Sequence, residues 1–338
     1  MDIKPKKVFV AMSGGVDSSV AALLLKKQGY QVTGVYFILV KNQAAKVRKI
    51  CKRLNIPFKI WDMRREFEKI IINDFINQYR MGSTPNPCVS CNRFIKFGLF
   101  FDKAKKSGAD YIATGHYVRN IKKGGQFFIK KGKDLNKDQS YFLWDINRNV
   151  LANCIFPIGD MTKEQVKINA RRNRLPVIKA ESQEVCFITG KISNYLIKKI
   201  KDKQGLIKDI KYRKIVGRHQ GLCLYTIGQR SGLGLPGGPW YVLRKDIKRN
   251  VLWVTNDTSD LQKKEIIIHK IDWLVKPDRF PVTLEVKPRY RHPGAKAIIM
   301  KSANNFKLIF KKPERALTSG QSAVFYQGDI LMGGGVIK

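Results

Sequence analysis

The chain has 338 residues, 43% of them apolar, enough to bury a full core in two or three domains. Lysine and arginine number 65 against 26 acidic residues, a formal net charge of +39, which fits either a polyanionic partner such as nucleic acid or a general lysine bias of composition. No apolar run reaches the about 20 residues of a membrane span, and residues 1–5 carry no signal-peptide core, so a membrane partner is argued against and a cytoplasmic enzyme is expected.

Val8 to Met12 reads as a short buried strand, Ser13-Gly14-Gly15 as a turn, and Val20 to Leu25 as a helix. A strand, a glycine turn and a helix start gather backbone N–H groups at one point and make an anion site. Ser13, Ser18 and Ser19 add hydroxyls, and Asp17 suits either the first helical turn or a bound Mg²⁺. No lysine follows the glycines, so this is not the loop of γ-phosphate transfer. The run resembles the pyrophosphate loop, S-G-G-x-D-S, of the ATP pyrophosphatases, which cleave ATP between its α and β phosphates.

Gln31 to Leu39 reads as a second strand, Lys41 to Leu54 as a helix and Ile56 to Asp62 as a third strand. That alternation predicts an α/β fold with a doubly wound parallel sheet, whose ligands sit beyond the strand C-termini. Phe67 to Tyr79 is an amphipathic helix. The two prolines of Met81–Arg93 predict a stiff loop, with helix resuming over Ile95 to Ala104. Asp110 to Tyr117 is a buried strand ending in a Gly-His turn, and Phe127–Ile129 a short exposed strand. Asn136–Ser140 opens an apolar helix, Thr162 caps a helix to Asn173, and Ser-Gln-Glu-Val-Cys-Phe (182–187) precedes a helix over Ser193 to Ile200. Beyond about residue 200, short strands (Leu222–Tyr225, Trp240–Leu243, Val251–Val254) and then about six more from Glu265 onward predict a small β domain and a C-terminal β-barrel. The expected domains are 1–200, 201–261 and 262–338.

Of the six cysteines, Cys51, Cys154 and Cys223 lie among apolar neighbours and read as small buried hydrophobes. Cys88, Cys91 and Cys186 have other surroundings. They fall within motifs that, taken in order, make the chain resemble the tRNA-specific 2-thiouridylase family: Ser13–Ser18, Thr84–Phe97, Ala113–Tyr117, Asn136–Leu143, Cys186–Ile188, Gly217–Gly221, Thr226–Gly234 and Gly320–Tyr326. The resemblance spans almost the whole length. It implies a fold of the adenine nucleotide α-hydrolase type and a sulfurtransferase that adenylates O2 of a wobble uridine in tRNA and replaces it with sulfur. By the same resemblance Cys91 is the nucleophile and Cys186 the persulfide carrier, a pair suited to thiol–disulfide exchange. A persulfide donor protein is the implied second partner. ATP, with Mg²⁺, is assigned to Ala11, Met12, Ser13, Gly14, Gly15, Val16, Asp17, Ser18, Phe37 and Gly115. The tRNA is assigned to Asn86, Pro87, Cys88, Lys137, Asp138, Gln139, Arg289 and Tyr290, with Asn86-Pro87-Cys88 against a flipped base. Arg93 and nearby N–H groups are expected to lower a thiol pKa. His116 is as readily structural as catalytic.

Many members of that family carry Asp where this chain has Cys88. The thiols Cys88, Cys91 and Cys186 therefore admit a second arrangement, an iron–sulfur cluster carrying the sulfur. Two other functions fit parts of the chain: another adenylating synthetase, which needs no paired thiols, and a non-catalytic tRNA-binding protein.

Overall fold

Val8, Phe9, Val10 and Ala11 place apolar side chains on both faces of one strand, which only a sheet covered on both sides accepts. The computed structural model, which describes residues 4–40, 42–176, 185–302 and 305–338, contains that sheet. Its strands are β1 (Lys7–Ala11), β2 (Gln31–Ile38), β3 (Phe58–Asp62), β4 (Tyr111–Ala113) and, after the hairpin β5 (Val118–Lys123) and β6 (Gln126–Lys131), β7 (Cys154–Ile155). They run parallel in the order β3-β2-β1-β4-β7. Helices α1 (Val16–Lys27) and α2 (Ala44–Leu54) pack with Val8 and Val10 on one face. Phe9 and Ile112 meet Phe97, Phe100 and Ala104 on the other. This is the doubly wound sheet expected. Its order reverses between β1 and β4, so the loops after these two strands flank the crevice where such sheets bind ligands.

Two long helices follow. Helix α3 (64–80) is α-helical over Arg64–Phe67 and Asn73–Arg80 and π-helical over Glu68–Ile72. Helix α4 (87–106) begins with Pro87–Ser90, widens to a π-helix over Cys91–Leu99 and closes with Phe100–Lys106. The sequence reading kept Met81–Arg93 as loop; helix in fact starts at Pro87, with Asn86 as its N-cap. Proline in the first turn has no N–H to lose, and its fixed φ suits a helix start. Cys88 and Cys91 therefore stand on the opening turns of a helix. Helix α5 (Lys163–Arg172) has a capping box, in which Thr162 Oγ1 accepts from Gln165 N–H and Gln165 Oε1 from Thr162 N–H. Helix α6 is Ile192–Lys199. Met1–Ile3, Lys41 of the expected second helix and Ser182-Gln183-Glu184 lie outside the described residues.

The second sheet holds β8 (Gly205–Asp209), β9 (Ile215–His219), β10 (Tyr241–Asp246) and β11 (Val251–Thr255), in the order β10-β11-β8-β9. Leu222–Tyr225, expected as a strand, is a 3₁₀ turn over Leu222–Leu224 instead. Gly221 turns the chain at φ +137°, and Cys223 N–H donates to Asp202 Oδ2 at 2.9 Å rather than to a neighbouring strand. Six strands, β12 (Gln262–Trp273), β13 (Val282–Lys287), β14 (Ala295–Ser302), β15 (Asn305–Arg315), β16 (Ser322–Gln327) and β17 (Ile330–Ile337), pair antiparallel and close through β12–β17 into a barrel. Hairpin β5–β6 joins its outside, Lys130 opposite Ile330. Ile129, expected on an exposed strand, is fully buried for that reason.

Two of the sequence motifs turn out to be partners. Tyr141 Oη donates to Ser322 O at 2.8 Å, Trp144 Nε1 to Ser322 Oγ at 3.0 Å, and the hydroxyls of Ser140 and Tyr326 meet at 3.0 Å. All of these groups are buried, where satisfied polar contacts fix one arrangement. Asn136–Ser140 opens only a 3₁₀ turn, Ser140–Leu143, whose side chains pack on the outer face of the barrel against Val324, Tyr326 and Leu331. The barrel also steadies the segment entering α4: Thr84 N–H donates to Ser319 O at 2.9 Å, and a Cβ on Gly320 would stand 2.9 Å from Thr84 N. Among the described residues no helix is long and apolar enough to cross a membrane.

Candidate active site

The loop after β1 is shaped by its own hydroxyls. Gly14 takes φ +78°, Ser18 and Ser19 donate to Gly15 O at 3.1 and 2.8 Å, and Ser13 Oγ accepts from Gly15 N–H at 3.2 Å. Gly15, the N-cap of α1, brings no capping side chain, so the first N–H groups of the helix are left for an anion. Ala11, Met12 and Val16 are the strand and helix residues on either side. Phe37, next to last in β2, has its ring near-parallel to Trp61 at 6.4 Å. Gly115 explains itself at once: a Cβ there would lie 2.7 Å from Ser18 N and 2.8 Å from Asp17 C. Its close approach is to the helix backbone, and it lets the loops after β1 and β4 meet.

Asp17 sits on that first turn and is held by Tyr117 Oη at 2.7 Å and by Lys163 Nζ, 2.8 Å from each carboxylate oxygen. Lys163 was not singled out by any motif. The signal was there: it is the first residue of a well-capped helix, where the macrodipole disfavours a cation. A residue that breaks a local rule is often kept for a site.

The three thiols of interest are brought together. Cys88 is half-buried, Cys91 buried and Cys186 exposed. Cys91 lies in one apolar cluster with Phe67, Ile71, Ile95 and Phe187, the residue after Cys186. Burial pushes the Cys91 thiol up to about 12, and a charge on Cys186 or Cys88 would raise it further. Burial also raises Cys88 and Cys186. The ammonium of Lys96 opposes burial at all three. Arg93 does not fill that role: its guanidinium pairs with Asp145 and lies 3.6 Å from Asp272, toward the barrel. His116 is buried, with Nδ1 2.7 Å from Thr114 Oγ1, and desolvation, then Lys96, keep it neutral. Among the described residues no three His, Cys, Asp or Glu side chains converge as metal ligands. Cys51, Cys154 and Cys223 are buried, as expected.

The residues assigned to tRNA fall into two groups that touch. Asn86 and Pro87 open α4, with Asn86 beside Tyr141. In the next loop Asp138 is buried: Oδ1 accepts from Gly132 and Ser140 N–H at 3.0 and 3.1 Å, and Oδ2 from Ser140 Oγ at 2.8 Å. Gln139 Oε1 accepts from Tyr117 N–H at 3.0 Å. Asp138 and Gln139 therefore shape the loop that carries Lys137, and are not a solvated helix start. From the barrel, Tyr290 packs on Phe142 at 4.5 Å, and Arg289 Nη1 donates to Arg315 O at 3.2 Å.

A phosphate-type loop at the reversal point of a parallel sheet, thiols on an adjoining helix and two appended β domains define a multidomain, nucleotide-using enzyme. Three family models match consecutively: a tRNA methyl transferase HUP domain over 6–190, a tRNA methyl transferase PRC-barrel domain over 193–256 and an aminomethyltransferase β-barrel domain over 263–337. Curated relatives carry the name tRNA-specific 2-thiouridylase. The one from Pseudomonas aeruginosa (strain LESB58) is 40% identical, over 98% of this chain and 94% of that protein. Those from Moorella thermoacetica and Thermus thermophilus are 42% and 40% identical over 98% of this chain, covering 99% and 95% of theirs. The chain belongs to the tRNA-specific 2-thiouridylase family.

Proposed function

We infer that the protein is an ATP-dependent tRNA sulfurtransferase that makes 2-thiouridine at the wobble position. ATP lies with its β and γ phosphates on the Ser13–Ser18 loop and the α1 N-terminus, beside Phe37 and Gly115. Both Asp17 oxygens are held by Lys163, so Asp17 would ligate a Mg²⁺ on the phosphates only in exchange for one of those contacts, and such an ion would neutralise charge on the departing pyrophosphate. Uridine O2 attacks the α-phosphorus, the bond to pyrophosphate breaks, and C2 is left bearing an adenylate. Cys91 then attacks the inner sulfur of a persulfide on Cys186. A Cys91–Cys186 disulfide forms and hydrosulfide is released. The hydrosulfide adds to C2, AMP departs with the C–O electron pair, and a thiol reductant reopens the disulfide.

The observation that carries these roles is the difference in exposure between two neighbouring thiols. Cys186 is open to a donor protein delivering sulfur, while burial keeps the neighbouring Cys91 thiol protonated. The tRNA lies across the three units, residues 1–200, 201–261 and 262–338. Asn86, Pro87 and Cys88 face the flipped base, the loop shaped by Asp138 and Gln139 presents Lys137, and Arg289 and Tyr290 supply phosphate and stacking contacts. The reaction belongs in the cytoplasm, with a persulfide-carrying protein as the sulfur source. Methyl transfer, which two of the family descriptions mention, needs neither a pyrophosphate loop nor paired thiols.

Nucleoside analysis of tRNA incubated with the protein, ATP and a persulfide donor tests this. The expected result is 2-thiouridine matched one-for-one by AMP. A methylated nucleoside, or thiolation independent of ATP, would overturn the reading.

A further inference from the structure

Helix α4 carries an unexplained charge next to its cysteines. In an α-helix the residues sharing a face are three and four apart, so Lys96, five after Cys91, would turn away from it. Over Cys91–Leu99 the helix is π-helical, and a π-helix closes its hydrogen bonds over five residues. Phe100 N–H accordingly donates to Ile95 O. A Cβ on Gly98 would lie 2.9 Å from Arg93 O, also five residues back, so the glycine leaves room for the wide turn. The wider turn brings Lys96 to the Cys91 side.

Lys96 is half-buried there and has no hydrogen bond or ion pair to another described residue. What surrounds it instead are Cys88, Cys91, Cys186 and the neutral His116, each of which feels its charge. Arg93, the other cation of this turn, is committed to Asp145 and Asp272. A half-buried ammonium without a carboxylate is costly, and that cost is best offset by an anion that forms during the reaction.

We propose that Lys96 sets the charge of the thiol site: its ammonium, carried to the Cys91 face by the π-helical turn, stabilises the thiolate and persulfide anions through which sulfur transfer passes. The proposal rests on the thiol relay above and names the group that keeps this largely apolar pocket reactive. It also gives the π-helical widening a purpose, since an α-helical register would leave the thiols without a cation.

Iodoacetamide alkylation of Cys186 at pH 8, read peptide by peptide by mass spectrometry, tests it without ATP or tRNA, so its outcome is separate from that of the thiolation assay. Lys96→Met and Lys96→Gln are expected to slow the reaction by about three- to tenfold, as the thiolate fraction falls, and Lys96→Arg to restore it. Slow labelling of buried Cys51 serves as the fold control. Equal rates in Lys96→Met and wild type would overturn the proposal. So would a Lys96→Arg protein as slow as Lys96→Met, because that pattern marks a packing role rather than a charge.

Discussion

Cys186→Ser protein is expected to consume ATP in the presence of its tRNA, releasing pyrophosphate, yet to place no sulfur in the RNA. The two halves of the reaction use different parts of the molecule. On the proposed roles, adenylation draws on the Ser13–Ser18 loop, the α1 N-terminus and Asp17, while the proposed carrier, Cys186, is exposed and precedes Phe187, which packs with Cys91 in another apolar cluster. Serine cannot hold a persulfide, so 2-thiouridine formation should fall by at least about 10³-fold, the scale of losing a nucleophile. Pyrophosphate release followed alongside nucleoside analysis checks both halves. Loss of both would mean that Cys186 contributes to nucleotide or RNA binding and is not simply a carrier.

Asp17→Ala should do the opposite, stopping the first half-reaction. On the proposed roles the carboxylate serves the phosphate end of ATP, and it holds Lys163 by two 2.8 Å contacts. Losing a group that balances charge on a departing pyrophosphate costs about 10²–10³-fold in turnover. Affinity for tRNA should stay near wild type, because Lys137, Arg289 and Tyr290 lie on other elements. Pyrophosphate release and a tRNA binding titration together check this, and an adenylation-competent Asp17→Ala protein would remove Asp17 from the site. The Asp17–Lys163 pair is half-buried, so its removal should be a small stability effect beside the loss of turnover.

How far the sequence could be read depended on whether a feature is local. The pyrophosphate loop is six consecutive residues between an apolar strand and a helix, and alternation along β12–β17 marked about six barrel strands. Contacts between distant residues were less visible. Lys163 reaches Asp17 across most of the first domain, and Phe127–Ile129 read as an exposed strand because β17, the barrel strand that pairs with β6, lies some two hundred residues further on. Pro87 was read as a helix breaker when it is a helix starter, which misplaced Cys88 and Cys91 in a loop. Lys96 was hidden by its spacing, since five residues is the wrong interval for an α-helical face and the right one only in a π-helix. The motifs Asn136–Leu143 and Gly320–Tyr326 were visible separately, while their mutual hydrogen bonds through Ser322 and Tyr326 needed the fold.

The relay from Cys186 to Cys91 is the centre of this account, and peptide mapping under non-reducing conditions after a single turnover tests it most directly. Protein loaded with persulfide and given ATP and tRNA without reductant should accumulate a Cys91–Cys186 disulfide in step with 2-thiouridine, leaving Cys88 free. Thiolated tRNA with Cys91 and Cys186 both still reduced, or a disulfide joining Cys88 in place of Cys91, would contradict it.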